Sequence, residues 1–335
     1  VRSLARTALG IALSAGLLLL LVREVDLGEV LEALGHVRWT LLAAVIVLYF
    51  IGAWVRAIRW RLLFREPEGL PLAHLFAATL VGYMGNNLLP ARLGEVARAY
   101  VAGRRGGLPV GYVLGTVVVD RVLDVVTVVA LAGLALPFVP LSDGMRRTWI
   151  LGIGLGSVAF AGLLWVKRQG PNGPLLAPLA RWAPSGVWAR VADLVRALAE
   201  GATGCDFARR SPALLGWTVL LWGTYALTVQ VAFWSLGLAL PWSAALTLLV
   251  YLGVGLSLPS APGFIGTFQF FTVAALALYG VEVSRALTFS VILHASYFFP
   301  VTLVGWGILA GEHLTLRQLS ALPVAVKRGE RGPHG

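Results

Sequence analysis

Long apolar runs separated by short polar segments dominate the chain. Residues 7–22, 39–60, 114–136, 149–166, 213–238 and 287–309 read as full crossings of a hydrocarbon core about 30 Å thick, each as a helix. Two further apolar regions break that rhythm. Residues 72–89 and 243–258 each end at a Leu-Pro pair, and each is followed within a few residues by another helix-like run, 93–105 and 264–279. Proline removes a backbone donor and breaks a helix before it. Each pair therefore predicts a helical hairpin of segments at or below the short end for a span, entering and leaving on one side. Two full crossings per hairpin would leave the remaining topology unchanged.

The predicted fold class is an all-α polytopic membrane protein with about six full spans and two re-entrant hairpins related as an inverted repeat. Leu89-Pro90-Ala91-Arg92-Leu93-Gly94 and Leu258-Pro259-Ser260-Ala261-Pro262-Gly263 share the pattern L-P-x-x-x-G. Span, broken hairpin and span recur at 39–136 and 213–310. Such paired broken helices are where secondary transporters place a midplane site. Residues 1–322 are expected to form one transmembrane domain, with a cytoplasmic connecting loop at 167–210 that holds an amphipathic helix over 187–198. Residues 323–335 are expected to be a disordered cytoplasmic tail with no soluble catalytic domain after it.

Composition agrees, with 58% hydrophobic and 13% charged residues in a chain of 335. The net charge of +11 lies in short segments between apolar runs rather than on one soluble face, which argues for a membrane surface and against nucleic acid. By the positive-inside rule Arg2 and Arg6 place the N-terminus in the cytoplasm, and Arg56, Arg59, Arg61 and Arg65 read as the next cytoplasmic charges. Arg104 and Arg105 follow on the same side, and Lys327, Arg328 and Arg331 place the C-terminus there as well. The arginine-bearing start of residues 7–22 resembles a signal peptide, but without a clear cleavage site it reads as a retained first helix.

Three polar clusters interrupt the apolar runs. Asn86, Asn87, Arg92, Glu95 and Arg98 surround the first break. They are read either as turn-capping amides beside an intrahelical Glu95–Arg98 pair or as amides, guanidiniums and a helix N-terminus around an anionic headgroup. Asp120, Arg121 and Asp124 lie inside 117–130, too deep for short acidic side chains to reach water. They are a structural ion pair, a binding site or a proton relay. Ser260, Gly263, Gly266, Thr267 and Gln269 supply neutral polar groups and open backbone at the second break. His294 in the last span reads first as a helix-interface histidine, and with Asp120, Asp124 and Glu95 it completes the set available for proton coupling.

NNLLPARLGEVARAY, then VVVDRVLD, then LPSAPGFIGTFQ, in this order, resemble the lysylphosphatidylglycerol synthase transmembrane region, a flippase-like membrane protein family. The resemblance covers about residues 5–312. It implies a polytopic inner-membrane protein that moves or handles lipids, aminoacylated phosphatidylglycerol among them and, in other members, lipids of glycoconjugate or hopanoid pathways. The family pattern falls on Arg92, Gly94, Glu95, Arg98, Asp120, Arg121 and Asp124, and on Pro259, Pro262, Gly263 and Gly266. Two positions depart from it: Gln269 stands where an acid is expected and His294 where arginine is common. The aminoacyl-transferring domain of the two-part synthases is not expected here.

These readings lead to a lipid flippase that moves an anionic phospholipid or polyprenyl-phosphate-type intermediate between leaflets. The alternatives are an intramembrane transferase acting on a lipid phosphate and an ion-coupled small-solute transporter. One cysteine, five scattered histidines, and no HExxH, G-x-S-x-G or Walker A pattern predict no metal, no cofactor and no enzymatic activity. Expected partners are membrane lipids with anionic headgroups. Self-association and separately encoded lipid-biosynthetic enzymes are compatible with this reading.

Overall fold

The computed structural model of the chain describes residues 37–66, 69–89, 93–169, 207–258 and 260–312, with positions 12, 14–17, 35, 314 and 318–319. Most of the expected first span, Arg92, Pro259, the expected surface helix over 187–198 and the tail over 323–335 lie outside the described residues.

Among the described residues every long regular element is an α-helix. In chain order these are α1 Trp39–Arg61, α2 Leu72–Leu88, α3 Gly94–Gly106, α4 Val110–Ala135, α5 Asp143–Gln169, α6 Phe207–Ser235, α7 Trp242–Gly255, α8 Thr267–Ala277 and α9 Val283–Gly311. Pro71, Pro109 and Pro241 stand immediately before α2, α4 and α7, where the missing N–H costs nothing. Gly107, at φ 63°, lets the chain leave α3 in the left-handed conformation.

α1, α9 and the Arg209–Ser235 part of α6 are long and apolar enough to cross a membrane. α4 is as long, at 26 residues. It is just as apolar on average, but its central Asp120, Arg121 and Asp124 put three charges in every 18-residue stretch of it. The hairpin arms are shorter: 17 and 13 residues for α2 and α3, 14 and 11 for α7 and α8. Large apolar side chains such as Val47, Ile51, Leu155, Val219 and Leu303 are exposed, as lipid-facing surfaces require.

Two large apolar cores, with two smaller clusters beside them, hold the described residues together. The first gathers Trp60, Leu63, Leu75, Met84, Ala97, Val101, Val113 and Val117 from α1 to α4 and the turn after α1. The second gathers Phe233, Leu248, Phe268, Leu276, Phe289 and Leu293 from α6 to α9. The pairings of one half recur in the other. α2 packs on α3 and α7 on α8; α3 packs on α4 and α8 on α9; α2 crosses to α9 and α7 crosses to α4. α1 lies along α6 at the centre.

Small residues set the first hairpin's spacing. A Cβ on Gly85 would stand 2.7 Å from the Gly94 Cα, and one on Gly82 would stand 2.8 Å from the Arg98 Cβ. α2 and α3 therefore touch backbone to backbone, as small residues permit in membranes, and the Arg98 stem runs directly over Gly82.

Candidate functional site

Arg56 and Arg59, one turn apart on α1, face Asp120 and Asp124, one turn apart on α4. Arg59 Nη2 donates to Asp120 Oδ1 at 2.6 Å and to Asp124 Oδ1 at 2.7 Å, and its Nε donates to Asp120 Oδ1 at 3.1 Å. Arg56 Nη1 donates to Asp120 Oδ2 at 2.9 Å and to Asp124 Oδ2 at 2.8 Å. Arg56 Nε reaches the Tyr225 hydroxyl of α6 at 3.3 Å. Two guanidiniums and two carboxylates thus close on one another. All four residues are buried. Charge-assisted bonds of this kind are strong in a low-dielectric interior, and they offset the desolvation that an isolated charge would suffer there.

Arg98 enters from α3. Its Nη1 donates to Asp120 Oδ2 at 3.0 Å, and its guanidinium lies over the Trp60 ring at 3.8 Å. The Trp60 indole is itself fixed, donating to Thr116 Oγ1 at 2.9 Å. Arg121 points the other way round α4, pairing with Glu95 Oε1 at 2.9 Å and with Asp124 Oδ2 at 3.3 Å. Asn86 Nδ2 also donates to Glu95 Oε1, at 3.4 Å. Arg121 is the outermost member, with 39% of its side chain exposed.

The first two sequence clusters are therefore one site. Glu95 and Arg98 do not close on each other as the intrahelical alternative had it, because each finds a carboxylate or guanidinium on α4. Arg56 and Arg59, counted in the sequence only as cytoplasmic-side charges, are buried partners of Asp120 and Asp124. Their spacing held the signal, since i and i+3 put two arginines on one face of an otherwise mostly apolar span.

Four guanidiniums meet three carboxylates in this cluster, leaving one positive charge in surplus. Several buried polar atoms also lack a hydrogen-bond partner among the described residues: Arg59 Nη1, Arg98 Nε and Nη2, Arg121 Nε, Glu95 Oε2 and Asn86 Oδ1. Arg98 is 1% exposed, so its two free donors have no bulk water to turn to.

The second break lies apart from this cluster. Asn87 joins the two: its Nδ2 donates to Thr302 Oγ1 at 2.9 Å on α9, and its carbonyl lies 3.2 Å from where a Cβ on Gly263 would stand. Gly263 and Gly266, at φ 70° and 86°, turn the chain between α7 and α8 in conformations that favour glycine. Thr267, at the start of α8, is within 3.3 Å of the Ser14 hydroxyl, and the Ala261 N–H donates to Ser14 Oγ at 2.9 Å. Ser260 is half-buried at the same turn. The two family departures touch each other. Gln269 Oε1 accepts from the Gly266 N–H at 2.7 Å, and Gln269 Nε2 meets His294 Nδ1 at 3.1 Å. A neutral amide–imidazole pair stands where an acid and an arginine were expected. Among the described residues no group of His, Cys, Asp and Glu could hold a metal ion.

The family model for the lysylphosphatidylglycerol synthase TM region matches residues 7–305. The chain belongs to this family. It is a membrane protein with a lipid-related function. A curated relative is the glycosyltransferase AglD of Haloferax volcanii, 26% identical over 329 residues. The match covers 88% of this chain and 52% of the relative, so the chain spans about half that protein's length. No solved structure matches. The relative's name corrects one expectation: a similar chain carries the name of an enzyme, so the lack of a familiar catalytic pattern does not make this chain a non-enzyme.

Proposed function

We propose that the chain binds the anionic headgroup of a phospholipid or polyprenyl-phosphate-linked lipid at the Arg56–Arg59–Arg98–Arg121 cluster and carries it between the leaflets of the prokaryotic cytoplasmic membrane. One observation carries this reading: the cluster holds surplus positive charge and buried guanidinium N–H groups without partners. Unsatisfied buried donors are costly and mark places where a ligand completes the bonding. A phosphate oxygen supplies both the charge and the acceptor lone pairs, in geometry suited to arginine.

In this reading Arg56 and Arg59 hold Asp120 and Asp124 in place, while Arg98 and Arg121 face the ligand. Arg121 turns from Glu95 to the phosphate. Glu95, whose Oε2 is buried without a partner, is the carboxylate that Arg121 leaves behind and is the candidate for proton coupling, with Asp120, Asp124 and His294 the other groups in that set. The mirrored pairings of α1–α4 and α6–α9 support the inverted repeat. The approach of Asn87 to the Gly263 turn supports re-entrant hairpins that meet at depth. The N- and C-termini then both lie in the cytoplasm, with Arg61, Arg65, Arg104 and Arg105 on that side.

The test uses purified protein in liposomes carrying acyl-labelled phosphatidylglycerol or polyprenyl phosphate, with label in the outer leaflet destroyed by dithionite. Wild type should expose the inner-leaflet label to the reagent, and Arg121→Ala should confine the loss to the outer leaflet. No movement of either lipid by wild type rejects translocation.

A second reading, transfer to or from a lipid phosphate within the membrane, is favoured by the glycosyltransferase relative. The same liposomes separate the two when their lipids are extracted and weighed after incubation with sugar-nucleotide donors. A new lipid mass identifies transfer; a change of sidedness alone identifies translocation.

A further inference from the structure

We infer that the protein carries a second headgroup subsite, formed by Tyr49, Tyr83, Tyr297 and His294, which takes a polyhydroxylated ring, that is, a glycosyl or cyclitol group attached to the phosphate. The inference rests on the proposed binding of the phosphate at the arginine cluster.

The subsite begins where the cluster ends. Tyr49 lies on α1 two helical turns before Arg56, roughly 10 Å along the axis. From there rings follow one another without a gap. Tyr49 is 6.1 Å from Tyr83 of α2 and stacks on Tyr297 of α9 at 5.0 Å with planes 10° apart. Tyr297 is 5.2 Å from the His294 ring, which stacks on Phe268 of α8 at 4.6 Å. The row thus spans both halves and joins the charged centre to the neutral Gln269–His294 pair.

Tyr83 bonds to Tyr225, but other polar groups of the row are unused. The hydroxyls of Tyr49 and Tyr297, both on half-buried residues, make no hydrogen bond among the described residues. His294 is more telling. Because Gln269 Oε1 is occupied by the Gly266 N–H, the amide must present its Nε2 to the imidazole. Nδ1 is then the acceptor, and the neutral ring carries its proton on Nε2. That nitrogen is buried on a residue only 5% exposed, and although the Gly263 backbone lies beside the ring, it closes no hydrogen bond of ordinary geometry among the described residues.

A packed core has no use for a buried donor beside two free hydroxyls on aromatic rings. A sugar-like ring does. Its C–H faces are apolar and slightly positive, and they suit the negative faces of stacked aromatics. Its hydroxyls both donate and accept, and so satisfy phenols and an imidazole N–H together. No charge stands at this end, which fits the uncharged part of a headgroup. A ligand with its phosphate on Arg98 and Arg121 would place one or two rings along the row.

The experiment compares two lipids of equal phosphate charge on the purified full chain in nanodiscs: phosphatidylinositol, which carries a hydroxylated ring, and phosphatidylglycerol, which carries none. Wild type should prefer the ring-bearing lipid. In Tyr49→Phe/Tyr297→Phe, which keeps every ring and removes two hydroxyls, the ratio of the two affinities should fall about tenfold, the scale of one or two hydrogen bonds. Tyr297→Leu should lower the ratio further by removing the stacking face. Arg121→Ala should weaken both lipids alike. A wild type with equal affinity for the two lipids, or a ratio unchanged in both tyrosine variants, overturns the subsite while leaving the phosphate site standing. Binding of neither lipid overturns both.

Discussion

Arg59 on α1 grips Asp120 on α4 through two nitrogens, Nη2 at 2.6 Å and Nε at 3.1 Å, with neither side chain exposed. The other oxygen of Asp120 is shared by Arg56 and Arg98. One carboxylate therefore ties α1, α3 and α4 together, and the first half of the molecule cannot shift its hairpin without disturbing it.

Removing Arg59 should accordingly be a stability lesion before it is a functional one. Breaking a buried pair leaves an uncompensated charge and costs about 3–5 kcal/mol. Arg59→Met should lower the melting temperature of the detergent-solubilised protein sharply. Asp120→Leu should do the same. The double variant should lose less than the two single losses combined, since the residues share one bond network. Additive losses would show that the two side chains act independently.

Arg98 should behave differently when its charge is kept. Lysine preserves a cation near Asp120 but loses the planar stack on Trp60 and the free Nε and Nη2 donors. Arg98→Lys should hold most of its thermal stability. Its affinity for phosphatidylglycerol should fall about tenfold or more, the scale of a lost charge-assisted bond. Binding measured in nanodiscs beside a melting curve checks both halves of this expectation. Unchanged affinity would remove Arg98 from the ligand's contacts.

The helices were largely legible in the sequence, because the apolar runs and the two Leu-Pro breaks mark their ends. Residues 39–60 became Trp39–Arg61, and residues 72–89 became Leu72–Leu88. What local spacing could not supply was pairing across helices. Glu95 and Arg98 are neighbours on one turn, yet each bonds to α4, because α3 packs along α4 with that face inward. Arg56 and Arg59 were hidden for a different reason. Arginines near the end of a span satisfy the topology rule as well as a buried site does. Only the acids at Asp120 and Asp124, too deep to reach water, pointed to missing cations. The contact between Gln269 and His294 was equally invisible, though both positions stood out as departures from the family pattern.

The glycine crossing of the first hairpin should be intolerant of any side chain. At Gly85 an added Cβ would meet the Gly94 backbone rather than a movable side-chain end. Gly85→Val should destabilise by about 1–3 kcal/mol, the usual range for overpacking. It should also weaken anionic-lipid binding, since spreading α2 from α3 moves Arg98 off Asp120. Gly111→Ala, where nothing lies within 4 Å, serves as the comparison and should change neither. Equal melting curves for the two variants would mean that the hairpin arms can separate without loss.

Sidedness gives the sharpest test of the architecture. If each hairpin is re-entrant, both ends of the first must face one side and both ends of the second the other. Cys205 is the chain's one cysteine, so a Cys205→Ser background allows single reporters. Gly69 and Arg104 are exposed at the outer ends of α2 and α3; Ala239 and Glu282 are exposed beside α7 and α9. In intact cells a membrane-impermeant maleimide should label Ala239→Cys and Glu282→Cys, and reach Gly69→Cys and Arg104→Cys only after permeabilisation. A reporter placed at the Leu89 tip separates re-entrance from two full crossings, because the two arrangements share their outer ends. Leu89 is buried near the contact of Asn87 with the Gly263 turn. A re-entrant tip keeps Leu89→Cys slow to label from both sides, whereas a tip that emerges opposite its arms would label as fast as Ala239→Cys. Rapid labelling there would replace the re-entrant hairpin with a pair of spans and move the arginine cluster away from the midplane.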